Sequence, residues 1–458
     1  MGNFAFSGHR VGVIGFGRSG SAVLRRLIEL GAEVFVSEQK PLESFDAGSI
    51  TELKALTRDL EFGGHSERLL SFAKLLIVSP GVHLDIPILA KARKRGIKIL
   101  SEIDFAFSLL SKPLIAVTGT NGKTTTTTLI GEMLKAAGKR VVVCGNIGYP
   151  ISAVDDSDLD LIVAEISSYQ LEASTDFKPW ISVMLNITED HIERHKTMEG
   201  YMSAKARVFT NQTGSDHLIY NFDDPLVAEL SKRSPAKLLP FSRTNKLDEG
   251  VYLEGSRLVA RVGNNKFDII DKKDIFIKGD HNVENALAAS SVAILSGVDA
   301  KVIAKVLKDF KGVEHRIEFV AKISGVSFYN DSKGTNPDSS IVALRALGNN
   351  VILIAGGRDK GSNLSKLIDE AKPRVKAMML IGEASERFKN DFSRSGFKPI
   401  YEEKSMEAAV KKAAAIAASG DQVLLSPACA SFDMFTDYEE RGRVFKHLVK
   451  SLEEEKAT

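Results

Sequence analysis

VTGTNGKTTTTTLI, Val117 to Ile130, follows an apolar run (LIAV, 114–117) and leads into a helix-forming run (TLIGEMLKAAG, 128–138). Strand, glycine turn and helix in that order make a nest of backbone N–H groups suited to a phosphate. The standard loop pattern G-x-x-x-x-G-K-[ST] nevertheless fails. It wants glycine at position 117, where valine stands, and the preceding glycine is Gly119. Within the turn, Lys123 can reach a terminal phosphate and the Thr124 hydroxyl is placed to ligate Mg2+. The four further threonines are poor helix formers, so propensity alone would not choose them. The competing reading is a solvated turn with a lone lysine.

Working outward, 458 residues are too many for one hydrophobic core and suggest about three domains. Lys+Arg is 61 against Asp+Glu 59, so the net charge of +2 argues against a chain built to coat nucleic acid or anionic membrane. Two cysteines, Cys144 and Cys429, make neither a disulfide framework nor a metal cluster and fit a reducing compartment. The N-terminal run lacks a signal-peptide layout, because a glycine turn interrupts it. Phe6 breaks the myristoylation pattern. No apolar run approaches the roughly 20 residues of a membrane helix. A soluble, cytoplasmic chain acting as a monomer is expected.

Strand-like and helix-like segments alternate almost throughout, which predicts α/β architecture with mostly parallel sheets. Three units are expected, at 1–111, 112–312 and 313–458. The first carries RVGVIGFG, AEVFVSE, KLLIVSPG and KIL as strands. The second opens on LIAVTG and continues through RVVVCG, LDLIVAEIS, ISVMLNI and HLIYN. It ends in short β-like pieces and two helices. The third carries VSFYND, VILIAGG, AMMLIG and QVLLSP.

A second glycine loop, Gly15-Phe16-Gly17-Arg18-Ser19-Gly20, fits G-x-G-x-x-G after a strand and before a helix, with Glu38 ending the next strand. Three readings stay open: a dinucleotide site, a tight turn without ligand, and a nucleoside diphosphate on the helix N-terminus. Glu165 ends an apolar strand, where open α/β sheets place their ligands, and is a candidate Mg2+ ligand. Asn186, Asp190, His191, Glu193 and His195 cluster after another strand. The two histidines lack the usual company of a zinc site, so a place beside phosphate or Mg2+ is favoured. Lys205 lies on a helix soon after. Asp280, His281 and Asn282 open a helix, where Asx residues are common caps, yet His281 and Asn285 share a face four apart. In the third unit, HRIE, YNDSKGTNPDS, GGRDKG and SPACASFDMF are polar clusters that suggest a binding surface.

GTNGKTT, AEISSYQLE, LNITEDHIERH, GDHNVENALAA and HRIE, in this order, resemble the Mur ligases along essentially the whole chain. The resemblance implies a Rossmann-like N-terminal domain binding a UDP substrate, a central ATPase domain and a Rossmann-like C-terminal domain binding an amino acid. The family's phosphate loop is G-T-x-G-K-[ST]-T, so the displaced glycine is expected, and UDP rather than NAD is expected at Gly15–Gly20. ATP would phosphorylate a substrate carboxylate, and an amine would then displace the phosphate. The third-unit motifs imply D-glutamate as that amine and UDP-N-acetylmuramoyl-L-alanine as the acceptor.

Residue by residue, the resemblance implies ATP contacts at Gly119, Thr120, Asn121, Gly122, Lys123, Thr124, Thr125, Asn282, Asn285, His315, Arg316 and Asp331. It implies two Mg2+ ions, held by Thr124, Glu165, His191 and a carbamylated Lys205. Lys123, Glu165, His191 and Lys205 are the implied catalytic set. The UDP substrate would meet Gly17, Arg18, Ser19, Ser79, Gly81, Asn146 and His191. D-Glutamate would meet Lys333, Thr335, Lys360, Ser431, Phe432 and Tyr438.

Overall fold

The computed structural model describes residues 6–45, 47–359 and 361–457. Three sheets carry the chain. The first has strands β1 (Arg10–Ile14), β2 (Glu33–Glu38), β3 (Asp59–Phe62), β4 (Leu75–Val78) and β5 (Lys98–Ser101), in the order β3-β2-β1-β4-β5. Every pair is parallel. The apolar runs read continuously because both faces are covered. Along β2, Val34 and Val36 enter one core with Val11 and Val13, while Phe35 enters the other with Ile14 and Leu76.

The second sheet comprises β6 (Leu114–Thr118), β7 (Val141–Gly145), β8 (Leu161–Glu165), β9 (Ile181–Met184), β10 (His217–Asn221), β11 (Lys237–Ser242), β12 (Gly250–Glu254), β13 (Arg257–Val262) and β14 (Asn265–Asp271). Its order is β14-β13-β12-β11-β10-β9-β6-β8-β7, parallel as far as β12 and antiparallel through the last two hairpin strands. The third comprises β15 (Glu318–Ile323), β16 (Val326–Asn330), β17 (Val351–Gly356), β18 (Val375–Ile381), β19 (Ile400–Glu402) and β20 (Gln422–Leu425). Its order is β15-β16-β20-β17-β18-β19, with only the β15–β16 pair antiparallel.

The expected α/β class is what the chain adopts. The strands that the pattern reading missed are β3, β11, β15 and β19. DLEF and IYE are short edge strands without a fully buried residue. EFVAKI is the antiparallel edge strand. KLLPFS carries Pro240, a residue that argues against a central strand, yet it lies between β10 and β12.

The described chain divides into two compact units. One runs to Phe276 and adds Asp280–Asp309; the other is Ile277–Gly279 with Phe310 onward. The first unit holds the first two sheets, and buried carboxylates tie these together. Asp104 accepts from the Thr175 and Asp176 amides, and Glu102 accepts from the amide and hydroxyl of Ser152. Among the described residues, no helix is long and apolar enough to cross a membrane.

The two glycines of the first loop answer to different demands. A Cβ on Gly20 would lie 1.9 Å from the Gly15 carbonyl oxygen, whereas one on Gly17 would meet nothing within 4 Å. Gly20→Ala is therefore expected to destabilise the protein by about 1–3 kcal/mol through overpacking, and Gly17→Ala to stay within about 0.5 kcal/mol. Urea titrations followed by circular dichroism check both.

Candidate functional site

β6 is buried along its whole length and delivers the chain to Gly119 in a left-handed conformation (φ +150°). Gly122 also has positive φ (+81°), and a Cβ there would lie 2.2 Å from Asn285 Oδ1, so only glycine fits. Lys123 opens the helix Lys123–Ala136, and its Nζ folds back to donate to the Gly119 and Thr120 carbonyls at 3.0 and 2.8 Å. Asn186 clamps the loop from β9's end. Its Oδ1 accepts from the Asn121 amide at 2.8 Å, and its carbonyl accepts from the Thr120 amide at 2.9 Å. Thr125 is half-buried in the first turn.

The threonine run has a packing explanation. Thr126 and Thr127 are wholly buried. Thr126 donates to Asn285 Oδ1 at 3.2 Å. Thr127 and Thr128 bond back to the carbonyls of Lys123 and Thr124, each at 2.8 Å. Such local bonds lower helix propensity but satisfy buried hydroxyls.

Thr124 Oγ1 donates to Glu165 Oε2 at 2.7 Å, and Asn146 Nδ2 donates to Glu165 Oε1 at 2.8 Å. Glu165 is 1% exposed. One hydroxyl and one carboxylate are too few for an all-protein cation cage. They suit Mg2+, which keeps waters and takes phosphate oxygens, so the residues fit the implied ion. Asn146, expected toward the UDP substrate, sits on this carboxylate.

Lys205, on the helix Met198–Thr210, is also 1% exposed. Its Nζ donates to the Gly119 carbonyl at 2.7 Å and stands 4.7 Å from the centroid of the Tyr201 ring. Burial, then the charge of Lys123, push its pKa well below the ordinary lysine range, against the pull of Asp190 and Glu165. This environment therefore disfavours the ammonium form relative to a solvated lysine.

His191 takes left-handed backbone (φ +54°) and its side chain is half exposed. It meets Tyr169, with ring centroids 4.9 Å apart, and Asp190, whose Oδ2 lies 3.3 Å from Nε2. The Tyr201 ring is a neighbour that it shares with Lys205. His195 instead turns into the core, 3.0 Å from Ser168 Oγ. Arg194, between them, was not singled out by any motif. It donates to the Gly81 and Val82 carbonyls at 3.4 and 2.6 Å and to Glu172 at 2.8 Å, joining the first sheet's ligand end to the second's. Asn285 adjoins the 119–125 loop at Gly122, and its Nδ2 donates to Asn282 Oδ1 at 3.2 Å.

At the first glycine loop, Glu38 is buried and spends both oxygens on backbone amides, Phe16 at 2.6 Å and Lys40 at 2.9 Å. It thus shapes the loop, whereas the dinucleotide reading gives that carboxylate to a ribose. Ser79 Oγ donates to the Gly15 carbonyl at 2.9 Å. Arg18 donates to the Gly148 carbonyl. Gly17 and Gly81 are exposed and Ser19 is half-buried. At the end of β2, Ser37 Oγ donates to Glu61 at 2.5 Å and lies 2.6 Å from His65 Nδ1.

In the second unit, His315 and Ile317 both take positive φ (+64° and +46°), rare for a β-branched residue. His315 Nδ1 accepts from Asn330 at 2.9 Å. Asp331 ends up buried just past β16, accepting from Ser426 Oγ at 2.7 Å and the Ile317 amide at 3.2 Å. Burial raises its pKa to about 7, opposed by the Ser426 bond and the charge of Arg316, which is exposed. Lys333 Nζ stands 5.5 Å from the Tyr438 ring centroid, and that ring lies 6.0 Å from His315. Thr335 is half-buried, Ser431 is 2% exposed and Phe432 is 65% exposed. Lys360 lies outside the described residues.

Two glycine loops stand at strand ends of separate sheets, and one of them is closed by a lysine and backed by a threonine–carboxylate pair, an arrangement suited to phosphate groups. The chain belongs to the Mur ligase family. Residues 9–101 match the model described as Mur ligase MurD-like, N-terminal domain; 117–293 the Mur ligase middle domain; and 315–429 the Mur ligase, glutamate ligase domain. A UDP-N-acetylmuramoylalanine–D-glutamate ligase from Thermoanaerobacter sp. (strain X514) is 46% identical over 449 residues, covering 97% of this chain and 99% of the relative. A ligase of the same name from Clostridioides difficile (strain 630) is 43% identical over 448 residues, with the same coverage. In fold, the chain resembles the UDP-N-acetylmuramate-alanine ligase of Thermotoga maritima, with TM-score 0.57 at 21% identity over 96% of this chain and 99% of that one.

The raised pKa of Asp331 sets a sign for pH dependence. The folded state holds a proton that the unfolded chain has already released, so stability falls as pH rises from the ordinary carboxylate range toward 7. Asp331→Asn is expected to abolish that portion of the loss. Thermal melts of both proteins across this range should converge at low pH and separate by pH 7.

Proposed function

We propose that this chain is an ATP-dependent ligase adding D-glutamate to UDP-N-acetylmuramoyl-L-alanine, with release of ADP and phosphate, in the cytoplasmic steps of peptidoglycan synthesis. The observation that carries the reading is the convergence of Lys123, Thr124, Glu165 and Lys205 on one loop. The third-unit motifs and the named relatives support the choice of D-glutamate. The working division is UDP substrate on 1–111, ATP on 112–312 and amino acid on 313–458, in a monomer.

The γ-phosphoryl group passes to the L-alanine carboxylate, giving an acyl phosphate and ADP. The D-glutamate amine attacks the acyl carbon and loses a proton. Phosphate then leaves as the amide forms. Such chemistry asks for positioning and charge neutralisation more than covalent help. Lys123 neutralises the β- and γ-phosphates, and the loop amides from Gly119 to Thr125 cradle them. Thr124 and Glu165 would hold one Mg2+, and His191 with carbamylated Lys205 a second, to neutralise charge that shifts during transfer. Asn282 and Asn285 serve the adenine side, and His315, Arg316 and Asp331 the ribose and phosphates. Gly17, Arg18, Ser19, Ser79 and Gly81 hold the UDP moiety, and Asn146 and His191 face the muramoyl-alanine end. Lys333, Thr335, Lys360, Ser431, Phe432 and Tyr438 form the D-glutamate pocket, with Lys360 on a carboxylate.

Phosphate release with ATP, Mg2+ and UDP-N-acetylmuramoyl-L-alanine, comparing D-glutamate with L-glutamate, L-alanine and diaminopimelate, tests the assignment. Release is expected with D-glutamate alone; release with another amino acid would move the specificity. Lys123→Ala should lower kcat by about a hundredfold or more while leaving UDP-substrate binding intact by calorimetry.

Carbamylation of Lys205 is supported by its burial and its lowered pKa, which favour the amine form that adds to CO2 and loses a proton to leave a carboxylate-like ligand. A carbamate resonance is expected in carbon NMR of enzyme kept in 13C-bicarbonate, and it should vanish in Lys205→Gln. An unchanged spectrum in that variant would refute the assignment.

A further inference from the structure

Three loops of the second unit meet at one side chain that no motif singled out. Arg441 lies in the helix Tyr438–Ala457 and is 1% exposed. Its Nε donates to Ser332 Oγ at 2.9 Å. Nη2 donates to the Ser332 carbonyl at 2.8 Å and the Cys429 carbonyl at 3.2 Å. Nη1 reaches the Cys429 and Ala430 carbonyls, each at 3.2 Å. A Cβ on Gly357 would lie 3.2 Å from Nη1. The guanidinium therefore holds the residue before Lys333 and the two residues before Ser431, and it abuts the GGRDKG loop at its second glycine. Ser332 Oγ passes the bond on to the Tyr438 carbonyl at 2.7 Å.

The acceptors are all neutral oxygens. Among the described residues Arg441 is hydrogen-bonded to no carboxylate, and Asp331 and Asp433 act on it only through longer-range attraction. Burial lowers its pKa to about 10, so it stays cationic at neutral pH. A buried ion without a direct counter-ion costs stability, and an apolar side chain of similar volume would serve a core better. A planar fork with five donors is what three converging loops can use, and a buried positive charge bonded to no carboxylate favours an anion nearby.

We propose that Arg441 is a positioning residue for the amino-acid pocket: it sets the three loops in register, and its charge biases the pocket toward an amino acid carrying two carboxylates. This rests on the D-glutamate reading above. The charge half separates from the fork half by substitution, because Arg441→Lys keeps the charge and loses the fork, whereas Arg441→Gln loses both.

Steady-state kinetics with each of the three substrates varied in turn tests this. The KM for D-glutamate is expected to rise about tenfold in Arg441→Lys and about a hundredfold in Arg441→Gln, with the KM values for ATP and the UDP substrate within about twofold. A rise shared equally by all three KM values, or an unchanged D-glutamate KM, overturns the proposal. Equal D-glutamate KM values in the two variants overturn the charge half. Should Arg441→Lys not fold, Ser332→Ala removes one acceptor, and a D-glutamate-specific rise of about threefold is expected; no rise counts against the proposal. A wild-type enzyme inactive with D-glutamate instead overturns the reading beneath it.

Discussion

Two lysines share one carbonyl oxygen. Gly119 accepts from Lys123 at 3.0 Å and from Lys205 at 2.7 Å. Two ammonium ions so placed, one of them buried, repel each other with little water to screen them. The repulsion is eased in the form where Lys205 has given up its proton, the direction in which burial and Lys123 push it. Much else follows from holding that oxygen in place. Gly119 must adopt φ +150°, and a Cβ there would lie 2.9 Å from Leu185 Cβ. The loop must be fastened by Asn186, and β6 must be buried end to end so that its last peptide does not drift. The turn at Gly119 and the placing of both lysines thus depend on one backbone conformation.

The first glycine loop is built on a different plan. Its shape is set by a carboxylate and a hydroxyl that never leave the protein, Glu38 on the Phe16 amide and Ser79 on the Gly15 carbonyl. With Glu38 so committed, the open position at Gly17 is what remains for a ligand. The fingerprint in the sequence is thus a statement about strand–helix packing at Gly20 and about access at Gly17. Neither property names a nicotinamide or a uridine.

Most of the fold was legible because parallel strands covered on both faces read as unbroken apolar runs, as in β4 and β8. Pattern fails where that condition fails: at the half-buried edges β3 and β19, at the antiparallel margin β15, and at β11, where Pro240 masks a central strand. The loop from Gly119 to Thr125 was legible because its residues are contiguous. Arg194 and Arg441 were not, since the bonds that tie them to other loops reach Val82 and Ser332, 112 and 109 residues away, and a charged residue on a helix looks solvated in one dimension. Lys205 was given a role only through the resemblance to a family, because its place on a helix looks solvated in one dimension and its burial is a tertiary fact. The threonine run was visible yet unexplained until its hydroxyls found Asn285 and the carbonyls one turn back.

Gly122, Thr126 and Asn285 form a closed contact, because the asparagine occupies the space that a side chain at 122 would need and accepts from the hydroxyl at 126. These positions are separated by up to 163 residues, yet they can change only in concert. A larger residue at 285 would press on the loop's left-handed turn, and a smaller one would strand a buried hydroxyl. The rugged local fitness surface this creates would keep drifting lineages on the same three letters, and it would make a transplanted phosphate loop fail unless its distant helix travelled with it.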